Sequence, residues 1–266
     1  MKKHLLACIL ATAGALTVVA SPIVSGFNTS TLANCDDCYS TAASLGYSAS
    51  FFGTTYTQAY VSNNGYLTFG GGQSYYTPTG LSGYTGLPII AGFYADADTR
   101  GVGSVTYGTG TYNGFAAFGV TWNGVGYFPS QTDKTNTFQE LLVSRPDLGA
   151  GAFEIVFNYG QIQWETGYGN GGTDGLGGTS AAVGYADGSG APGTYVQLPG
   201  SLVNGALIDG GANSLVTGSN DGTPGQYVFV LANEQETNAA PEPTSMVLVW
   251  MGILGLAVVR RWAWRA

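Results

Sequence analysis

Residues 115–122 read FAAFGVTW, and residues 153–159 read FEIVFNY. In the first, Ala116, Phe118, Val120 and Trp122 fall on every second position. In the second, Phe153, Ile155, Phe157 and Tyr159 do the same, with Glu154 and Asn158 on the opposite parity. Successive side chains of an extended chain point to opposite faces, so each stretch reads as a strand with one apolar face. Ile162 and Trp164 continue the second pattern, and YVFVL at 227–231 reads as a short strand. QAYVSNNGYLTF at 58–69 reads as a hairpin, with Asn64-Gly65 suited to the positive φ angles of a type I′ turn. GLPIIAGFYADAD at 86–98 starts at a turn proline and reads as a buried strand ending in acids. Glycine and asparagine clusters separate these runs, and no long stretch keeps a 3.6-residue period. The pattern predicts an all-β body, a single antiparallel domain of sandwich or barrel-like form. The longest piece without strand character is 166–180, which reads as a mobile surface loop.

The two ends have a different character. Residues 1–26 read MKKHLLACILATAGALTVVASPIVSG. Lys2 and Lys3 precede an apolar run from Leu5 to Ala20, with Val18 and Ala20 as small residues before a cleavage point. That is the pattern of a secretory signal peptide. Residues 241–266 read PEPTSMVLVWMGILGLAVVRRWAWRA. Thr244 to Val259 is uncharged and near membrane-spanning length, and Arg260, Arg261 and Arg265 follow it. The ordered set of Pro241, Glu242, Pro243, an apolar helix and an arginine cluster resembles the PEP-CTERM sorting signal of Gram-negative bacteria. That resemblance implies a precursor anchored in the inner membrane. An exosortase-type membrane enzyme would process its tail, and its body would end at the cell surface or in the extracellular matrix, often beside exopolysaccharide. The expected organisation is a signal peptide at 1–26, a β domain at 27–238 and a sorting tail at 239–266.

Charge and residue types narrow the chemistry of the body. Its bases are Arg100, Lys134 and Arg145, against fifteen acids from Asp36 to Glu236. So acidic a body is unsuited to nucleic acid, which needs clustered lysine and arginine. The one histidine, His4, lies in the signal segment. Imidazole-based triads and histidine-ligated zinc are thereby excluded from the mature body.

Four motifs remain. CDDC at 35–38 pairs Cys35 with Cys38; in an exported chain this reads as a short disulfide or two free thiols. YADADTRG at 94–101 spaces Asp96, Asp98 and Arg100 by two, which puts them on one face of an extended chain. Two readings follow: a divalent cation, calcium, held by Asp96 and Asp98, or an Arg100–carboxylate pair that fixes the strand end. Position twelve of that stretch is Tyr107 rather than glutamate, so it is not an EF-hand. Asp96 with Glu154 or Glu165 could be imagined as a glycosidase pair, but no spacing selects them. In DKTNTFQELLV at 133–143, Lys134 is expected to pair with an acid. Phe138 and Leu142 are expected to point inward, with Gln139 and Glu140 between them. Trp122 and Trp164 are expected in the core, and Tyr75, Tyr76 and Tyr84 in loops suit carbohydrate or protein contact.

The order of segments carries a second resemblance. YVSNNGYLTFG, LPIIAGFYADADTR, VTWNGVGYF, DKTNTFQELLV, FEIVFNYGQIQWETG, AAVGYADGSG, LPGS and GQYVFVL follow one another from Tyr60 to Leu231. This succession resembles the NIDO domain, the extracellular module of nidogen and alpha-tectorin, over about Tyr39 to Leu231. The resemblance implies a non-enzymatic role in matrix association and cell–matrix adhesion. It brings no catalytic residues and no cofactor. The expected partners are exopolysaccharide or matrix proteins; a carbohydrate-binding module and a secreted hydrolase are the alternatives.

Overall fold

The structure is a computed structural model that describes residues 21–232 together with 235 and 236. The signal segment before Ser21 and the tail with Pro241, Glu242, Pro243, Arg260 and Arg261 lie outside the described residues. Among the described residues no helix is long and apolar enough to cross a membrane.

Two antiparallel sheets form the body. The first runs in the order β1 (Ser30–Leu32), β7 (Ser104–Tyr112), β8 (Phe115–Tyr127), β9 (Asn136–Ser144), β10 (Phe153–Gln161), β13 (Gln226–Ala232) and β14 (Gln235–Glu236). Short β6 (Ala97–Asp98) adds to β8. The second runs β12 (Tyr195–Gln197), β11 (Ala182–Ala186), β5 (Ile89–Tyr94), β4 (Tyr66–Thr68), β3 (Thr54–Ser62) and β2 (Ala43–Phe51). One helical turn, of 3₁₀ type, covers Tyr168–Asn170.

The period-two faces become the core. Phe118, Val120 and Trp122 of β8 meet Phe153, Ile155, Phe157 and Tyr159 of β10 in one buried cluster. Leu45 and Phe51 of β2, Val61 of β3, Leu67 of β4, Ile90 and Phe93 of β5 and Tyr185 of β11 complete it from the other sheet. Ala116, at the open end of β8, is exposed. Both indoles are fully buried and keep a partner for their N–H, as a buried tryptophan must. Trp122 Nε1 donates to the Ser62 and Asn63 carbonyls at 3.2 and 3.1 Å, and Trp164 Nε1 to Val125 at 3.0 Å. The outer face of the first sheet is closed by the N-terminal segment. Phe27 packs with Ala117, Leu141 and Val143, and Gln139 bonds Val24 in both directions.

Four features differ from the sequence expectations. The hairpin at 58–69 forms, but its loop is Asn63, Asn64 and Gly65, and only Gly65 has positive φ, at 80°. A type I′ turn would need positive φ at two central residues; a three-residue loop needs one, at the glycine. Second, 166–180 is not peripheral, since Thr166, Asn170 and Ser180 are buried. The longest strandless stretch is 198–225, which sends Leu207 and Leu215 into the core. Third, two further strands form: β2 in ASLGYSASF, where Leu45, Tyr47, Ala49 and Phe51 alternate with serine and glycine, and β7 in SVTYGTGTY, where threonines on both faces mask the alternation.

The fourth is Glu140. Parity puts it on the inward face with Phe138 and Leu142, opposite Val120 and Phe157, and not between the core residues. It is fully buried and reaches across the sandwich, where its Oε1 accepts a hydrogen bond from Gly92 N–H. Tyr159 Oη donates to the Gly92 carbonyl at 2.7 Å. Gly92 is free for both because the β5–β11 register shifts between Ala91 and Tyr94, a bulge that turns its peptide groups inward. Oε2 of Glu140 has no partner among the described residues. Burial therefore pushes the Glu140 carboxyl well above its ordinary value of 4.5, against the pull of the Gly92 amide.

Two outcomes are expected. A Cβ at Gly92 would lie 2.8 Å from Glu140 Cγ and 2.9 Å from Oε1. Gly92→Ala should therefore cost about 1–3 kcal/mol of stability, as overpacking does; a urea midpoint equal to the parent's would refute the clamp. The pH dependence follows from the raised carboxyl. The unfolded chain releases the Glu140 proton near its ordinary value of 4.5 while the folded protein retains it. The stabilisation is thus complete below that pH and declines as pH rises toward the folded pKa. Glu140→Gln lacks this decline, so its stability relative to the parent should rise by up to about 1.4 kcal/mol per pH unit within that window. Urea unfolding at about pH 5 and pH 7 measures it, and a constant difference would mean that Glu140 is ionised when folded.

Candidate functional site

At one end of the sandwich, the hairpin loop between β3 and β4 organises its neighbours. Asn63 accepts from Cys38 N–H through Oδ1 at 2.9 Å and donates from Nδ2 to the Ala97 carbonyl at 2.7 Å. Asn64 accepts from Ala97 N–H at 2.9 Å and donates to the Asp37 carboxylate at 2.9 Å and the Tyr75 carbonyl at 3.4 Å. Cys35 and Cys38 are joined in a disulfide, closing a four-residue ring around Asp36 and Asp37. Thr99 fastens the other side of the ring: its hydroxyl accepts from Cys35 N–H at 2.9 Å and its N–H donates to the Cys35 carbonyl at 3.1 Å.

This framework brings the carboxylates of Asp36, Asp37 and Asp96 together, one oxygen of each within 4.8 Å of the others. They line a cavity of about 130 Å³ with Tyr76, Phe128 and Gly169. Asp96 is 2% exposed, and its Oδ2 has no hydrogen-bond partner among the described residues. Oδ1 of Asp36 has none either. Gly167 packs so closely on Asp96 that a Cβ there would collide with the carboxylate. Burial, and then the charges of Asp37, Asp36 and Asp98, push Asp96 up to about 7, with the Gly169 amide pulling weakly the other way. Asp36 is raised to about 6 by burial and by Asp98 and Asp37, against the pull of Arg100. Burial also raises Asp37, against the hydrogen bond from Asn64.

Asp98 has a different environment. Its Oδ1 accepts from the backbone N–H and Nε of Arg100 at 3.0 and 2.9 Å. Its Oδ2 accepts from Arg100 Nη2 at 2.6 Å and from Ser130 N–H at 2.8 Å. Burial opposes its charge, but the Arg100 and Ser130 hydrogen bonds outweigh that and hold it below the usual carboxylate value. The same Arg100 group reaches Asp36 Oδ2 at 2.8 Å. The two aspartates singled out in the sequence therefore part company: Asp96 joins the cavity and Asp98 joins Arg100. CDDC displays Asp36 and Asp37, but their distance in sequence from Asp96 gives no signal of the meeting, which the tertiary fold makes.

The other acids considered for chemistry have structural tasks. Glu165 is fully buried, and its oxygens accept from Leu207 and Gly205 N–H, each at 2.6 Å, pinning the 198–225 stretch. Glu154 pairs with Arg145, and Lys134 with Asp133 at 2.6 Å.

Beside the acidic cavity lies a groove of about 690 Å³ lined by Tyr39, Gln73, Tyr75, Tyr84, Thr85 and Leu87 among others. Tyr39 and Tyr75 are 48% and 63% exposed, and neighbouring Tyr76 forms a wall of the acidic cavity. Residues 35–39 serve both places: Asp36 and Asp37 supply carboxylates to one, and Tyr39 supplies a ring to the other. The pair offers oxygen donors and exposed aromatic faces. With His4 the sole histidine of the sequence, the described residues contain no imidazole to act as a base.

Residues 57–233 match the nidogen-like domain. Human alpha-tectorin is 32% identical over 190 residues, covering 62% of this chain and 8% of that protein. Chicken alpha-tectorin is 30% identical over 190 residues, covering 62% of the chain and 9% of that protein. Nidogen of Drosophila melanogaster is 29% identical over 227 residues, covering 74% of the chain and 15% of that protein. No solved structure matches the chain. By the span of residues matched, the chain belongs to the nidogen-like (NIDO) domain family.

Proposed function

We propose that this chain is an exported, non-enzymatic contact module that associates with an extracellular matrix. Its family membership carries the reading, through the matrix association and cell–matrix adhesion that the NIDO resemblance implies. The body's chemistry is in keeping with it. Glu154 and Glu165 are occupied by Arg145 and by backbone amides, so neither is free to serve as a general acid or base. The tyrosine-lined groove is a contact surface, because exposed tyrosines combine apolar area with a hydrogen-bonding tip.

The finer reading draws on the two ends of the sequence. The signal segment takes the chain across the inner membrane of a Gram-negative bacterium, and the apolar run from Thr244 holds it there. An exosortase-type enzyme then acts at the PEP-CTERM tail, and the body reaches the cell surface. Its partner there is exopolysaccharide or a protein of the biofilm matrix, and the groove at Tyr39 and Tyr75 takes the sugar rings.

Purified exopolysaccharide should bind saturably. Tyr39→Ala and Tyr75→Ala should each weaken binding about two- to tenfold, the loss of one aromatic contact. Unchanged binding by the double variant would remove the groove from the reading. Matrix attachment without polysaccharide binding would direct the search to a protein partner. Mass spectrometry of the surface-localised protein should find no peptide from residues 260–266; an intact tail there would refute the processing step.

A further inference from the structure

We propose that Asp36, Asp37 and Asp96 form a binding site for a hard divalent cation of the calcium type. Three observations carry it. The carboxylates converge within 4.8 Å around one small cavity. Asp96, 98% removed from solvent, lines that cavity and carries an oxygen without a hydrogen-bond partner, as does Asp36. The one nearby cation, Arg100, is already committed to both oxygens of Asp98 and to the other oxygen of Asp36. A buried carboxylate facing only like charges is costly unless a proton or a metal ion compensates it.

The donor set selects the class of ion. All three side chains offer oxygen, and the two cysteines that flank Asp36 and Asp37 are tied in a disulfide. Calcium takes about six to eight oxygens with flexible geometry, and three carboxylates supply about three to six of them, with water completing the shell. Soft metals would prefer thiolate or imidazole. The scaffold is prepared before the ion arrives: the Cys35–Cys38 ring fixes Asp36 and Asp37, Asn64 orients Asp37, and Gly167 packs against Asp96. Asp36 and Asp37 precede residue 57, where the family match begins, and Asp96 lies within it, so the site bridges the two segments. A bound ion would tie the disulfide turn to the end of β5, next to the Tyr76 wall of the cavity. The inference stands apart from matrix contact, because cation binding is measured with no polysaccharide present.

The test uses the full chain, freed of metal with EDTA and titrated with Ca²⁺ and separately Mg²⁺. Calorimetry and thermal unfolding report binding, as does Tb³⁺ luminescence excited through tyrosine. Saturable Ca²⁺ binding with a Kd of about 10⁻⁴–10⁻³ M is expected, the range of extracellular modules. A rise in Tm that EDTA reverses should accompany it. Asp96→Asn relieves crowded buried charge, so this variant should unfold no earlier than the metal-free parent while losing the Ca²⁺ response. Asp37→Asn, at a less buried position, provides a second variant if Asp96→Asn does not fold. Asp187→Asn, far along the chain on the β11–β12 turn, should keep the response. The proposal is overturned if Ca²⁺ up to about 10 mM gives no saturable signal, or if the signal survives both Asp37→Asn and Asp96→Asn.

Discussion

Both peptide groups of Gly92 are captured by side chains from the opposite sheet, and the position of everything beyond β5 depends on it. Two sheets pressed together by apolar side chains have little that fixes one over the other, because the hydrophobic effect has no direction. Hydrogen bonds across the core supply direction. Glu140 and Tyr159 sit on adjacent strands of the first sheet, and both reach the same bulged residue in the second. The bulge would otherwise leave a donor and an acceptor of Gly92 stranded in the core, each costing about 1–3 kcal/mol. Glu140 satisfies the donor, and burial favours the neutral form of its carboxyl in the middle of an apolar cluster.

From that anchor the chain runs directly to the candidate site. Beyond Gly92, Phe93 N–H donates to Gly65 and Ala95 N–H to Asn64, so the end of β5 is zipped to the hairpin loop. Asp96 follows, and its direction is set within a few residues of the clamp. The hairpin loop is itself fixed from below by the Trp122 indole, which bonds Ser62 and Asn63. Asn64 then extends this rigidity outward to Asp37 and to the Tyr75 carbonyl. Core tryptophan, turn asparagine and surface carboxylate form one continuous set of contacts. The groove tyrosines are reached through the same asparagine, which places acidic cavity and aromatic groove on a shared support.

The strands that make the core were legible because large apolar residues alternate without interruption in FAAFGVTW and FEIVFNY. β7 is hard to read because threonines fall on both of its faces, whereas β2 alternates Leu45, Tyr47, Ala49 and Phe51 with serine and glycine and obeys the same rule as the core strands. Glu140 was legible by the very rule used for its neighbours: 138, 140 and 142 share parity. A charged residue type argued against burial, and parity was the sounder guide. Asp98 beside Arg100 could be read as an ion pair from their spacing alone. The meeting of Asp96 with Asp36 and Asp37 could not, since it joins the start of the domain to the end of β5 through a tertiary fold. The Asn64 side chain is a similar case: its sequence context announces a turn, while its hydrogen bonds answer to Ala97 and Asp37.

The distribution of compensation among the buried acids separates support from site. Four acids are fully buried among the described residues: Asp96, Asp98, Glu140 and Glu165. Asp98 has a guanidinium and a serine, and its carboxyl stays ionised. Glu165 has two backbone amides aimed at its two oxygens. Glu140 has one amide, and burial pushes its carboxyl well above its ordinary value. Each of these three is accounted for by something the fold itself provides, and each holds two parts of the chain together. Asp96 differs in kind. Burial, and then the charges of Asp37 and Asp36, raise its proton affinity, and it lines a small cavity with both. Burying like charges together is costly for the folded chain, and a proton or an incoming cation is what compensates it. In a body with three basic residues, each already paired with an acid, that charge cannot come from another part of the same domain.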